Sequence, residues 1–300
     1  MIIARIEGGL GNQMFQYAYG QYLAQRHQTE LRLDLRSYAA APQHGFLLDR
    51  YSIEAQVADS SLLAQIPRRY RSTDSMPTSK LAWLRPTKFP RHKESPFGFQ
   101  AKHLRASDNR YLVGYWQSEQ FFPGLEQRLC EEFTLAAPLS LRSQKVADKI
   151  AATNSIAIHL RRGDYLSNTS AAQLFHHVQL DYYLNAITDW AQTQQRPEVF
   201  VFSNDIPWCK ENVQLPWPVH FVDHNGVETA YEDMALMQQA ACNVIANSTF
   251  SWWAAWLNRR PGKTVYAPET WFRPGTLDGS AILPNTWRTA PTTSPLRKAA

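Results

Sequence analysis

Three hundred residues, 44% hydrophobic and 19% charged, suit two globular domains at roughly 150 residues each. That balance excludes wholesale disorder. Three cysteines far apart (Cys130, Cys209 and Cys242), with no C-x-x-C, exclude a disulfide-stapled mini-protein and a zinc ribbon and fit a reducing compartment. No apolar run approaches the ~20 residues of a membrane span. The opening MIIARIEGG lacks the basic and apolar regions of a secretory signal, so a cytoplasmic protein is expected.

In chain order, Ile2–Ile6 is β-branched and alternating, which predicts a strand. Gly8-Gly9-Leu10-Gly11 then makes a turn, and Met14–Gln28 carries apolar residues at helical spacing. Leu31–Asp34 reads as a second strand. From Pro67 to Arg110 there are eleven Lys or Arg against three acids, a local charge of +8 beside +5 for the whole chain. Five prolines punctuate this stretch (Pro67, Pro77, Pro86, Pro90 and Pro96), so it reads as a basic, irregular insertion. It is a solvated loop or a patch for an anionic partner or membrane surface. Beyond it, Tyr111–Trp116 is a strand candidate and Gly124–Phe133 looks helical.

The second half alternates more clearly. Strands are predicted at Ser155–Leu160, Glu198–Ser203, Val219–Val222, Asn243–Ala246 and Thr264–Ala267. Helices are predicted at Leu180–Gln194, Thr229–Ala241 and Ser251–Asn258. Short buried strands alternating with helices imply βαβ units and parallel sheets. Two Rossmann-like halves meeting near residues 136–145 are expected, with ligands at the carboxyl ends of strands.

His159-Leu160-Arg161-Arg162-Gly163-Asp164 follows directly on one such strand. Adjacent arginines there need an anion or a carboxylate to compensate them, and guanidinium forks suit a pyrophosphate. The alternative is a structural ion-pair cluster, with Asp164 as an internal partner. Asn247-Ser248-Thr249-Phe250-Ser251 sits where a strand ends and a Trp-rich helix begins. It is an ordinary N-cap or a phosphate site at a helix N-terminus. Trp252, Trp253 and Trp256 read as core. His176-His177 stands in a polar loop and reads as solvated.

Gly9-x-Gly11 after a strand, with Asp34 ending the next strand, resembles part of a dinucleotide fingerprint, but Met14 occupies the third glycine position. A nicotinamide-dependent oxidoreductase therefore stays open, as does a non-catalytic glycan- or polyanion-binding module. No D-x-D, H-E-x-x-H, G-x-S-x-G or P-loop occurs. A transferase of nucleotide sugars lacking a metal-binding acid pair must neutralise the departing diphosphate with arginines and helix N-termini.

Three segments together resemble glycosyltransferase family 11, the bacterial α-1,2-fucosyltransferases. They are Gly8 to Ala18 (GGLGNQMFQYA), His159 to Asp164 (HLRRGD) and Asn247 to Trp253 (NSTFSWW), in the expected order across most of the chain. The resemblance implies an α/β fold of GT-B type, with two Rossmann-like domains facing across a cleft. The expected division is 1–140 as an acceptor-side domain and 141–300 as the GDP-fucose-binding domain. It implies GDP-β-L-fucose as donor, inversion at the anomeric carbon, no metal and no cofactor. The implied product is an α-1,2 linkage to the 2-hydroxyl of a terminal galactose.

By the same resemblance, Arg161 binds the β-phosphate and assists its departure, and Asn12 faces the sugar. His159 frames the nucleotide, Arg162 and Asp164 complete their motif, and Ser248, Thr249 and Phe250 hold phosphate and shape the base pocket. Gly9, Gly11 and Gln13 complete the donor-binding set. In the wider superfamily an acid about fifteen residues before the Ser-Thr-Phe segment reads guanine, which points here to Asp233, with Glu232 as competitor. No general base is assigned. The partners expected are GDP-fucose and a galactose-terminated glycan, with no nucleic acid. Peripheral contact with the inner face of a membrane, through the basic stretch 67–110, is the further expectation.

Overall fold

The computed structural model describes residues 1–40, 45–66, 88–162 and 173–292. It divides into two compact units, Met1–Ala136 and Ala137–Ala300. Each is a parallel α/β sheet of Rossmann type, as the alternation of strands and helices predicts. Among the described residues no helix is long and apolar enough to cross a membrane.

Among the described residues the N-terminal unit has five strands: β1 (Ile2–Arg5), β2 (Leu31–Asp34), β3 (Gln56–Val57), β4 (Arg91–Lys93) and β5 (Arg110–Val113). Their order is β3-β2-β1-β5-β4 and every pairing is parallel. β1 opens Ile-Ile-Ala, all buried, the continuous apolar run of a strand covered on both faces. Helix α1 (Leu10–Arg26) follows the glycine turn and is buried nearly all round. Gly20 permits this, because a Cβ there would lie 2.7 Å from the Leu31 side chain of β2. The polar residues of α1 find partners inside: Tyr17 donates to Glu132 at 2.8 Å, and Gln21 donates to Glu132 at 3.0 Å. Arg128 donates to the same carboxylate at 2.7 Å, so this buried charge is paired.

The basic stretch corrects an expectation. Residues 67–87 lie outside the described residues, but the remainder is not an irregular insertion: it supplies strand β4 and a 3-10 turn at Ala101–Arg105. Arg-His-Lys carries no apolar alternation, yet it pairs in parallel with β5, Arg91 to Tyr111 through Lys93 to Val113. The strand expected at Tyr111–Trp116 ends early, at Val113. Gly114 and Trp116 turn the chain. A Cβ on Gly114 would lie 2.5 Å from the Glu94 side chain, and Trp116 holds φ +56.

Trp116 keeps that left-handed backbone inside a ring cage. Tyr19 lies 4.2 Å away between centroids, and His92 stacks at 5.6 Å with planes 3° apart. His92 Nε2 is 2.9 Å from His103 Nδ1. Burial, then the charges of His103, Arg110 and Lys102, pushes the His92 imidazole down to about 4, and burial also lowers His103. A histidine with a depressed native value costs stability as pH falls from its unfolded value near 6.5 toward the folded one. Between pH 6.5 and 4.5 the native state is therefore expected to lose on the order of 1 kcal/mol, after discounting for partial exposure. His92→Phe keeps the stack and removes the titration. Urea melts across that range should show a flatter pH dependence for the variant; identical slopes would remove His92 as the cause.

Among the described residues the C-terminal unit has six strands: β6 (Asn154–Leu160), β7 (Pro197–Ser203), β8 (Val219–Phe221), β9 (Cys242–Val244), β10 (Thr264–Pro268) and β11 (Arg288–Ala290). Their order is β11-β10-β9-β6-β7-β8, all parallel. Counted within the unit this is the doubly wound order 3-2-1-4-5-6 read from the other edge, with its reversal between β6 and β9. Five of these strands and the helices Leu180–Ala191, Ala230–Met237 and Thr249–Leu257 lie where the sequence places them, within a few residues at their ends. The helices Leu141–Ala152 and Ile206–Asn212 and strand β11 are additional. Trp252, Trp253 and Trp256 are core, and Trp252 Nε1 donates to the Ile282 carbonyl at 2.8 Å.

Candidate active site

In a doubly wound sheet the crevice for ligands opens at the carboxyl ends of the two strands flanking the reversal. In the C-terminal unit these are β6 and β9. Arg161 follows β6 and Ser248 follows β9. Arg161 Nη1 donates to Ser248 Oγ at 2.9 Å, bridging the reversal point. That bond bears on both readings of Ser248. It occupies the N-cap position of helix Thr249–Leu257, yet its hydroxyl makes no cap to the helix backbone. The helix start and the guanidinium thus lie together, and both favour an anion.

The neighbours of this pair are held from below. Asn247, buried, donates from Nδ2 to the carbonyls of His176 and Trp271, each at 2.8 Å, fixing the turn that presents Ser248. His176, expected to be solvated, sits instead beside Thr292 Oγ1 at 2.9 Å. His159, buried near the carboxyl end of β6, packs its ring 5.4 Å from that of Phe250. Thr249 and Phe250 are half-buried at the helix start.

Two adjacent arginines avoid each other by turning to different partners. Arg162 lays its guanidinium 4.0 Å from the Trp208 ring centre, and its Nε lies 3.6 Å from Asp205. Its backbone N–H donates to Asn204 at 3.0 Å. Arg162 therefore braces the β6 terminus against β7, and Arg161 is the guanidinium at the helix start. Asp164 and Gly163 lie outside the described residues.

The two acids at the start of helix Ala230–Met237 separate cleanly. Glu232 is buried and accepts from Ser140, at 2.6 Å from the hydroxyl and 3.3 Å from the backbone N–H. Ser140 caps helix Leu141–Ala152, so Glu232 anchors a helix junction. Although burial pushes it up, the Ser140 bonds hold its carboxyl below the ordinary value. Asp233 is half-buried and accepts from Asn225 Nδ2 at 2.7 Å. Burial, with the Glu232 charge behind it, pushes Asp233 up to about 7. A carboxyl poorly compensated by its own chain is the better candidate for a ligand contact.

The N-terminal unit has its own reversal, between β1 and β5. The loop after β1 carries Asn12 and the residues after β5 carry Gln117, whose Nε2 donates to Asn12 Oδ1 at 3.0 Å. Gly8 takes φ +80, and a Cβ there would lie 2.7 Å from Asn12 Nδ2. Gly9 caps α1 in an ordinary extended conformation with open space where a Cβ would stand, and Gly11 is buried in the first turn. Gln13, expected among the donor-binding residues, is fully buried. Its amide donates to the carbonyls of Gly8 (3.0 Å) and Gly45 (2.8 Å) and accepts from the Leu47 N–H (3.0 Å). It shapes the loop from beneath.

Asp34 removes the basis of the oxidoreductase alternative. It is buried and accepts two guanidinium bonds from Arg36, at 2.9 and 2.6 Å, and one from Tyr111 at 2.8 Å. A ribose acid must be available to a ribose, and this one is committed within the chain.

The model of glycosyl transferase family 11 matches residues 93–287. The chain belongs to glycosyltransferase family 11. An α-1,2-colitosyltransferase of Escherichia coli is 33% identical, across 96% of this chain and 98% of that protein. A galactoside α-(1,2)-fucosyltransferase 2 of Oryctolagus cuniculus is 30% identical, across 92% of this chain and 73% of its own. Among solved structures, the α-1,6-fucosyltransferase NodZ co-crystallised with GDP gives a TM-score of 0.52 at 16% identity, covering 85% of this chain and 91% of its own. That likeness speaks to the fold, which is of GT-B type. The protein is thus a glycosyltransferase, as the three motifs predict. Asn225, Gln117 and Ser140 escaped the sequence reading; no spacing announces them, because each acts through a bond to a residue remote in the chain or on another element.

Proposed function

We propose that the protein transfers L-fucose from GDP-β-L-fucose to the 2-hydroxyl of a galactose residue in a glycan, inverting the anomeric carbon. The Arg161–Ser248 bond at the start of helix Thr249–Leu257, where the Ser248 hydroxyl makes no bond to the helix backbone, carries this reading. It supplies a guanidinium and a helix N-terminus for a diphosphate, while Asp233 supplies a carboxylate for the N1–H and 2-amino group of guanine. Thr249 and Phe250 complete the donor site with His159, and Arg162 and Asp164 complete its frame. The C-terminal unit is then the donor domain. Asn12, with Gly9, Gly11 and Gln13 shaping its loop, serves the sugar from the acceptor-side domain.

In the reaction the acceptor O2 bonds to C1 as the bond from C1 to the β-phosphate oxygen breaks. The electron pair leaves with GDP and the hydroxyl proton is shed. Negative charge grows on the diphosphate, where preorganised donors lower the barrier most. Incubation with GDP-fucose and an array of β-galactosides, followed by linkage analysis, tests the whole reading. An α-1,2 product on a galactoside supports it, and absence of transfer to every galactoside overturns it.

A second reading concerns the donor alone, and similarity to the colitosyltransferase motivates it. Colitose is L-fucose without its 3-hydroxyl. A site built to hydrogen-bond that hydroxyl discriminates by orders of magnitude, whereas an apolar pocket discriminates weakly. The ratio of kcat/KM for the two GDP-sugars decides between them.

In this reading Arg161 and the helix start offset the charge that grows on the diphosphate, with no divalent ion taking part. Excess EDTA is therefore expected to leave the rate unchanged. Loss of activity on chelation, restored by magnesium or manganese, would overturn the metal-independent mechanism.

A further inference from the structure

Asp233 sits in the first turn of helix Ala230–Met237, next to a carboxylate that is already committed. Glu232 accepts from the Ser140 hydroxyl at 2.6 Å and from its backbone N–H at 3.3 Å, and those bonds keep it charged. Burial and that neighbouring charge both disfavour ionisation of Asp233. Guanine offers two donors, and only the ionised carboxylate accepts with both oxygens. Ionisation near neutral pH therefore needs a compensating group.

Asn225 is that group. Its Nδ2 donates to Asp233 Oδ1 at 2.7 Å, and among the described residues this is the one side-chain bond that Asp233 accepts. The loop that carries Asn225 follows β8 and is tied on both sides of it. Before it, His224 Nε2 lies 2.9 Å from Ser143 Oγ, an oxygen that Asn225 Nδ2 also reaches at 3.4 Å. After it, the Gly226 N–H donates to Thr229 Oγ1 at 2.9 Å, just ahead of helix Ala230–Met237. Turned the other way, the amide would set its oxygen against a carboxylate, so charge fixes the end that meets Asp233.

The other charged groups at this junction come from each element around it. Arg142, in the first turn of helix Leu141–Ala152, lies 3.9 Å from Asp223, which is taken by Lys210 at 2.6 Å. Burial and then the Arg142 charge hold the His224 imidazole below its ordinary value, so it is neutral where Asp233 titrates. Glu228 is exposed on the 3-10 turn Val227–Thr229. Of these neighbours, Glu232 is the one whose charge acts on Asp233.

We propose that Asn225 is a positioning residue of the nucleotide site. Its amide holds the Asp233 carboxylate ionised and in one orientation, and thereby sets the pH range over which GDP is bound. The inference rests on Asp233 as the acid that reads guanine. A hydrogen bond made to the charged form is weakened when the carboxyl takes up a proton, so the bond resists protonation. Asn225 needs no contact with the nucleotide to do this.

Calorimetric titration of the full chain with GDP at pH 6, 7 and 8.5 tests the proposal. Each variant's Kd is divided by the wild-type Kd at the same pH, which cancels the titration of the GDP phosphates. Asn225→Leu should raise the Asp233 midpoint from about 7 by about one pH unit, the scale of one hydrogen bond to a charged group. The ratio is then about tenfold at pH 6, about fivefold at pH 7 and within about twofold at pH 8.5. A merely structural loss would give one ratio at every pH. Should the leucine variant fail to fold, Asn225→Ala reads the same profile. Added to Asp233→Asn, the Asn225→Leu change should leave a ratio that no longer varies with pH. If Asp233→Asn alone weakens GDP binding but the Asn225→Leu ratio stays level from pH 6 to 8.5, the role of Asn225 is overturned and Asp233 stands. If Asp233→Asn alone binds GDP as wild type does at all three pH values, the reading of Asp233 fails and the role of Asn225 falls with it.

Discussion

Replacing Arg161 by lysine is expected to lower kcat by about two orders of magnitude or more while the fold survives. That is the scale for removing one charge-stabilising donor from a transition state. The geometry explains why lysine is no substitute. Arg161 already donates from Nη1 to Ser248 at 2.9 Å, and a planar guanidinium carries its donors in a fixed fork whose geometry suits phosphate oxygens. A lysine ammonium is a point donor on a flexible stem and cannot hold the serine and the phosphate in one plane. Its charge survives, so ground-state affinity for GDP should fall less than kcat, a split that marks an interaction realised in the transition state. Ser248→Ala, which keeps the guanidinium and removes its serine partner, should cost about 10- to 100-fold, the scale of one neutral-to-charged hydrogen bond. The check is single-turnover transfer from GDP-fucose beside calorimetric GDP titration. A near wild-type kcat for Arg161→Lys would remove Arg161 from the reaction.

The legible parts of this protein were those where one face or one strand end carries the signal. β1, β6 and β7 are continuous runs of branched and aromatic residues because helices cover both faces, and such runs survive without context. β4 and β11 are three-residue strands with little apolar pattern, Arg-His-Lys and Arg-Thr-Ala. They exist through the backbone ladder of a neighbour, which no residue pattern encodes. Helix Leu141–Ala152 buries only Ser143, Ala147 and Ile150, too sparse a stripe to stand out. Motif residues at strand ends were found because parallel sheets place ligands there. Their side-chain roles were less legible: Arg161 and Arg162 are chemically identical in sequence, and only Ser248 on one side and Trp208 on the other tell them apart. Glu232 and Asp233 are distinguished the same way, by Ser140.

Asp233→Asn is expected to weaken GDP binding by about 1.5–3 kcal/mol, the range for a hydrogen bond to a charged group, while the fold becomes no less stable. The variant keeps the acceptor that takes the Asn225 bond and turns the other oxygen into a donor facing the donors of guanine. The stability half follows from linkage. Asp233 has a folded-state value raised to about 7, above its unfolded value, so its stabilising contribution is present at low pH and is lost as pH rises through 7. At pH 8 the wild-type protein therefore carries a carboxylate that its own fold disfavours, and removing that charge should raise Tm. Binding has the opposite sign. GDP needs the ionised form, so wild-type affinity should fall as pH drops below 7, by up to tenfold per unit, and complex formation near pH 7 should release protons. Calorimetry in buffers of different ionisation enthalpy measures that release, and Asp233→Asn should abolish it. Glu232→Gln is the control: it strips the Ser140 anchor and should cost stability without changing the preference for GDP over inosine diphosphate, which lacks the 2-amino group. If instead Asp233→Asn binds GDP as wild type does, with the same proton release, guanine is read by another group.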